Sequence, residues 1–174
     1  MQAPDEIQRA AVVQEARGWL GTPYHHAAQI KGAGVDCAML PAAVYRAAGL
    51  IPEIPIGHYP PDWHLHRETE RYLDIVLSHA AEVPAPTGAG DFVLYRFGRA
   101  FAHGAIIVDW PAIIHAVIRV GVVLDDGASG RLAGRPRRFF TLWPQPAHSG
   151  AAPANWRESQ AHGRGRPAFE GNSQ

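Results

Sequence analysis

The apolar residues of this chain change period once, at the Pro/Gly-rich stretch Pro84–Gly90, and that change limits the folds open to it. Before the break they recur every three to four residues, the spacing of helices with one buried face. After it they come in short β-branched or aromatic runs bounded by Gly, Pro or Asp. Helices first and strands second predict an α+β domain, with N-terminal helices packed on an antiparallel β-sheet.

Ile7, Ala10, Val13, Ala16 and Leu20 predict a first helix over Asp5–Leu20, stopped by Gly21-Thr22-Pro23. A loop, Tyr24–Val35, leads to a second helix from about Asp36 to Ala48, with Leu40, Val44 and Ala47 on one face. The Pro-rich stretch Ile51–Asp62 reads as extended surface chain, because each Pro removes an N–H from any ladder. A third helix is expected from about His66 to His79, with Thr69, Tyr72, Leu73, Val76 and Leu77 as its stripe. Strands are expected at Asp91–Phe97, Ala102–Val108, Ala112–Val117, Gly121–Leu124 and Arg138–Trp143. Residues 1–143 form the expected domain, and 144–174, rich in Pro, Gly, Ala, Ser and Arg, read as a flexible tail.

Composition narrows the function classes. At 174 residues, 47% hydrophobic and 18% charged, the chain is a globule of one domain. Sixteen basic residues against sixteen acidic ones argue against a general nucleic-acid binder. One cysteine excludes an internal disulfide framework and CxxC motifs. No apolar run approaches the roughly 18 residues of a membrane span. Met1–Arg9 contains Asp5 and Glu6 and no apolar signal core, so synthesis in the cytoplasm without a signal peptide is expected.

That one thiol, Cys37, sits where a glycine-punctuated loop meets a helix N-terminus, with Asp36 placed as N-cap. The free N–H groups and positive dipole end there favour a thiolate. A buried cysteine acting as a small hydrophobe is the competing reading. Two histidines shift the balance. His103 and His115 are each the sole ionisable group of an apolar strand run. With Val108-Asp109-Trp110 as the hairpin loop, Ile107 pairs with Pro111 and His103 lies opposite His115, with Cβ atoms about 5 Å apart. Two imidazoles that close can share a proton, one as base and one as its orienter.

These residues resemble the NlpC/P60 cysteine peptidases. The resemblance lies in Gly21-Thr22-Pro23-Tyr24, in Asp36-Cys37 opening a helix, in His103-Gly104-Ala105-Ile106-Ile107-Val108, and in Ile114-His115-Ala116, in the same order and spacing. It spans roughly Ile7 to Trp143 and implies a papain-like fold that cleaves peptidoglycan stem peptides, commonly between D-γ-glutamyl and diaminopimelate residues. It makes Cys37 the nucleophile, His103 the general base and His115 the third residue orienting it. It puts Tyr24 on the substrate and oxyanion side and requires no cofactor; Asp36 beside the thiol and His26 (or His25) at the cleft, binding substrate carboxylates, are expected on that side as well. The segment His58–Leu73, with Asp62-Trp63-His64-Leu65-His66, resembles the branch encoded with phage tails and gene-transfer-agent particles. That branch implies phage-like tail or baseplate proteins as partners and action in the periplasm or cell wall after delivery by the particle.

The chain departs from the family pattern at named positions. Ala38-Met39 replaces the usual Ser-Gly after the cysteine, and His26-Ala27-Ala28 replaces Trp-Gly-Gly. Pro41 falls early in the catalytic helix and deprives one carbonyl, that of Cys37 in a regular helix, of its partner. Other clusters point to simpler roles. His25-His26 and His64-x-His66 lack a cysteine or carboxylate frame at zinc spacing, so no metal site is expected. Asp125-Asp126-Gly127 lacks the rest of a calcium loop and reads as a plain turn. Two alternatives stay open: a thiol amidase or acyltransferase on another acyl substrate, and a non-catalytic component of a tail tip.

Overall fold

The structure, a computed structural model, describes residues 4–54 and 70–143. Helix α1 (Pro4–Arg17) leads through turns to a two-stranded hairpin, β1 (Gln29–Ile30) and β2 (Gly34–Val35), then to α2 (Met39–Ala47) and α3 (Glu70–His79). Strands β3 (Ala81–Val83), β4 (Phe92–Phe97), β5 (Ala100–Asp109), β6 (Ala112–Val117), β7 (Gly121–Asp126) and β8 (Arg137–Thr141) form one antiparallel sheet in the order β3-β8-β4-β5-β6-β7. The predicted α+β class with N-terminal helices on an antiparallel sheet is what the chain adopts. The short strands β1, β2 and β3 were not expected, because two or three residues are too few to show a period. The expected helix residues His66–Thr69, the Pro-rich stretch beyond Ile54 and the tail from Pro144 lie outside the described residues.

The sheet has two buried faces. Phe92, Leu94, Ile106, Ile114, Ala116, Val122 and Phe140 pack under the helices against Val12, Ala16, Leu40, Val44 and Tyr72. Val93, Tyr95, Ala105, Ile107 and Ile113 point the other way, toward Leu132, Phe97, Trp110 and Phe139. Burial on both faces explains why these strands read as continuous apolar runs and not as alternation.

The predicted face of α1 needs correction. Ile7 and Leu20 are 57% and 41% exposed, and of the predicted stripe Ala16 is the residue fully buried, with Val12 and Trp19 buried beside it. The cause is electrostatic. Asp91 is fully buried just before β4, and Arg9 turns inward to bond its Oδ1 at 2.9 Å, on the same side of the helix as the buried Val12, Ala16 and Trp19. The second helix begins later than expected by backbone pattern, yet its first hydrogen bond, from Leu40 N–H to Asp36 C=O, starts where the capping argument put it.

The β5–β6 hairpin also turns differently from the expected register. Ile107 pairs with Ile113 and Ile106 with Ile114, after a bulge at Val108 and a turn at Trp110-Pro111. His103 therefore does not lie directly opposite His115. The slip is two residues, so both side chains keep the same face. They meet on the diagonal instead.

Candidate active site

Cys37 is held by the elements on both sides of it. Asp36 Oδ1 accepts the N–H groups of Ala38 and Met39 at 3.0 and 2.9 Å, which caps α2. Its Oδ2 accepts Ala27 N–H at 2.8 Å and lies 3.6 Å from His26 Nδ1. One buried carboxylate thus ties the helix tip to the His26-Ala27 loop. The motif Gly21-Thr22-Pro23-Tyr24 is pinned by Gly21 N–H to Val122 C=O and Val122 N–H to Thr22 C=O, and by Val35 N–H to Pro23 C=O. Tyr24 is thereby brought to the helix tip, where its hydroxyl faces the sulfur.

The half-buried thiol lies along the backbone of β5 at His103. Its hydrogen bond runs to Ala102 C=O at 3.7 Å, and the Gly104 N–H also faces the sulfur. Pairing of β5 with β6 stops at Ile106, short of this point, so the edge is open to the helix tip. Gly104 is required here: a Cβ would fall 2.3 Å from Tyr72 Oη and 2.5 Å from the Phe92 ring. The carbonyl that Pro41 leaves without a helical partner is that of Cys37, and Tyr72 Oη donates to it at 3.3 Å.

His103 and His115 occupy the second face of the sheet, beside Tyr95 and Phe97, with His103 Nε2 and His115 Nδ1 2.7 Å apart. The structure thus gathers Tyr24, His26, Asp36 and Cys37 at the helix tip and the two imidazoles beyond the edge of β5. No hydrogen bond joins Cys37 to His103. Asp125, which reads in sequence as part of a plain turn, completes the second group: its Oδ2 lies 3.3 Å from His115 Nε2. Its only advance signal was strand parity with His115 across the β6–β7 hairpin, and that required the extent of β7.

Burial sets the charge states. It pushes the Cys37 thiol up to about 12, with the Asp36 carboxylate adding to the rise. The Cys37 and Gly104 N–H groups and the Tyr24 hydroxyl oppose it. Burial first, then His115 and Arg135, push His103 down to about 3. Burial also lowers His115, against the pull of Asp125. Tyr24 is raised by burial and by the Cys37 and Asp36 charges. Both shifts favour the neutral forms, thiol and imidazole, and desolvation works against the thiolate that the helix dipole favours.

Comparison with protein-family models and with curated proteins finds no match. Solved structures do match. The NlpC/p60 domain of the peptidoglycan hydrolase SagA aligns with TM-score 0.52 at 20% identity, over 75% of this chain and 96% of that one. A lipoprotein-like NLP/P60 family protein from Staphylococcus aureus gives 0.53 at 20%, over 79% and 42%. NlpC1 from Trichomonas vaginalis gives 0.57 at 16%, over 80% and 45%. The chain thus has the fold of NlpC/P60 domains, spanning nearly all of the SagA domain and under half of the other two chains. Among the described residues, no helix is long and apolar enough to cross a membrane.

Proposed function

We propose that this chain is an NlpC/P60 thiol peptidase of the cell wall, cleaving peptidoglycan stem peptides at D-γ-glutamyl–diaminopimelate bonds. The observation that carries the reading is the 2.7 Å His103–His115 pair beside a strand edge that holds the only thiol of the chain. The likeness to the SagA domain, a peptidoglycan hydrolase by name, supports the substrate class.

In this mechanism the Cys37 sulfur attacks the amide carbonyl as its proton passes to His103. The helix-tip N–H of Cys37 and the Tyr24 hydroxyl supply hydrogen bonds to the oxyanion. His103 returns the proton to the leaving amine, and water attacks the acyl-enzyme with His103 again as base. His115 holds the imidazole in place. Catalytic hydrogen bonds that are long without substrate commonly tighten around it, so the missing Cys37–His103 bond does not bar this route. Delivery by a phage-like tail, with action in the periplasm, rests on the resemblance of the segment 58–73.

One observation favours a second reading, a tail component that keeps the fold without catalysis: the thiol bonds Ala102 C=O and not an imidazole. Digestion of purified Gram-negative sacculi with wild type and Cys37→Ala, followed by mass spectrometry, separates the readings. Fragments severed between D-glutamate and diaminopimelate, absent with the variant, are the expected result. Intact stem peptides with a reactive thiol would indicate another acyl substrate, and an inert thiol would indicate the structural role.

A further inference from the structure

We propose that Asp125 is a positioning residue that fixes the tautomers of both imidazoles, so that His103 presents the Nδ1 lone pair to the thiol. The proposal rests on the peptidase reading only in naming the thiol as the target. An ionised carboxylate can only accept a hydrogen bond, so Asp125 Oδ2 at 3.3 Å requires the proton of neutral His115 on Nε2. His115 Nδ1 then carries a lone pair. The contact at 2.7 Å must therefore be donated by His103 Nε2–H. The remaining nitrogen of His103, Nδ1, is left unprotonated. Each step follows from the one before, and the acceptor-only carboxylate starts the chain.

The carboxylate is held for this role although its side chain is 53% exposed. Asp126 N–H bonds the other oxygen, Oδ1, at 2.8 Å and leaves Oδ2 toward the imidazole. The register Asp125↔Ile113 and His115↔Val123 puts Asp125 and His115 on one face, a diagonal apart. The charged and titratable groups bearing on the pair are Asp125 from β7, Arg135 from the loop before β8, and Tyr95 of β4 against the His103 ring. Arg135 and Tyr95 make no hydrogen bond to either imidazole, so they do not choose the tautomer.

The test uses the whole chain, nitrogen-15-labelled, and no peptidoglycan. Imidazole spectra at neutral pH should show His115 as the Nε2–H tautomer and His103 likewise. Asp125→Ala should mix the tautomers and slow Cys37 alkylation by iodoacetamide at pH 7 by up to about fivefold, the range of a half-exposed charge contact. Asp125→Asn offers a donor as well as an acceptor, so it should mix the tautomers too, less completely than Asp125→Ala, and unmixed tautomers in it would count against the proposal. Wild-type tautomers that persist in Asp125→Ala would overturn the proposal, as would an Nδ1–H His115 in the wild type. Loss of folding in Asp125→Ala leaves the Asn variant and the wild-type spectrum to decide. A wild-type thiol that does not alkylate would sink the peptidase reading alone, because the tautomers are read independently.

Discussion

Tyr72 Oη sits 3.3 Å from the carbonyl of Cys37 and replaces, from a different helix, the backbone donor that Pro41 removes. The helix tip is thus braced by α3 at the residue that carries the thiol. A proline four residues after the nucleophile is tolerable because a phenol stands in for the missing N–H. Tyr72→Phe should lower stability by about 1–2 kcal/mol, the cost of a buried carbonyl left without a donor. Pro41→Ala restores an N–H and should return part of that loss in the double variant. Urea denaturation of the four proteins measures the coupling. Strict additivity would show that the Tyr72 bond does not substitute for the helical one.

The buried Asp36 carboxylate has two effects of opposite value. It caps α2, and its charge disfavours the thiolate one residue away. Asp36→Ala should cost about 1 kcal/mol of stability through the lost cap. Asp36→Asn keeps a side-chain oxygen for the cap and drops the charge. Its Cys37 thiol should titrate lower than the wild type, and iodoacetamide alkylation should move to lower pH. An unchanged alkylation profile in Asp36→Asn would show that desolvation alone sets the Cys37 pKa.

Legibility in the sequence divided along physical lines. Period and punctuation located the three helices and five of the eight strands, because burial of whole faces imposes spacing on the chain. They also placed Cys37, Asp36 and the two histidines on the right elements and parity. What local pattern could not reveal were contacts between distant elements. Arg9 faces inward because Asp91 is buried 82 residues away, which no helical period records. The two-residue turn at Trp110-Pro111 and the bulge at Val108 together moved the hairpin register by two, a choice made in the turn and invisible in strand composition. Asp125 looked like turn chemistry because its partner, His115, comes from the neighbouring strand.

The Arg9–Asp91 pair is the second place where distant charge holds the fold. Asp91 Oδ2 also accepts Thr87 N–H and Gly88 N–H at 2.6 and 3.2 Å, so the carboxylate organises the loop before β4. Arg9 further donates to Ala89 C=O at 2.9 Å and lies 4.0 Å over the Trp143 ring. Removing the guanidinium strands a buried carboxylate. Arg9→Met should cost about 3 kcal/mol or more, with part of the loss recovered in Arg9→Met/Asp91→Asn. Equal destabilisation by the double variant and the single one would mean that packing, and not charge, is what Arg9 supplies.

Acid sensitivity should trace to His103. Its folded pKa, pushed down to about 3, lies below the roughly 6.5 of an unfolded histidine. Between those values the unfolded chain binds a proton that the folded one refuses, so stability falls as pH falls. The contribution is fully present above about pH 6.5 and is lost progressively toward pH 3. His115 is shifted in the same direction and adds to the slope, less so because Asp125 pulls against it. His103→Gln removes the titrating group and keeps a polar side chain toward His115. Urea midpoints at pH 7 and pH 4.5 should differ by less in this variant than in the wild type. The same difference in both proteins would place the acid sensitivity in the carboxylates and show that His103 is free to take a proton in the folded state.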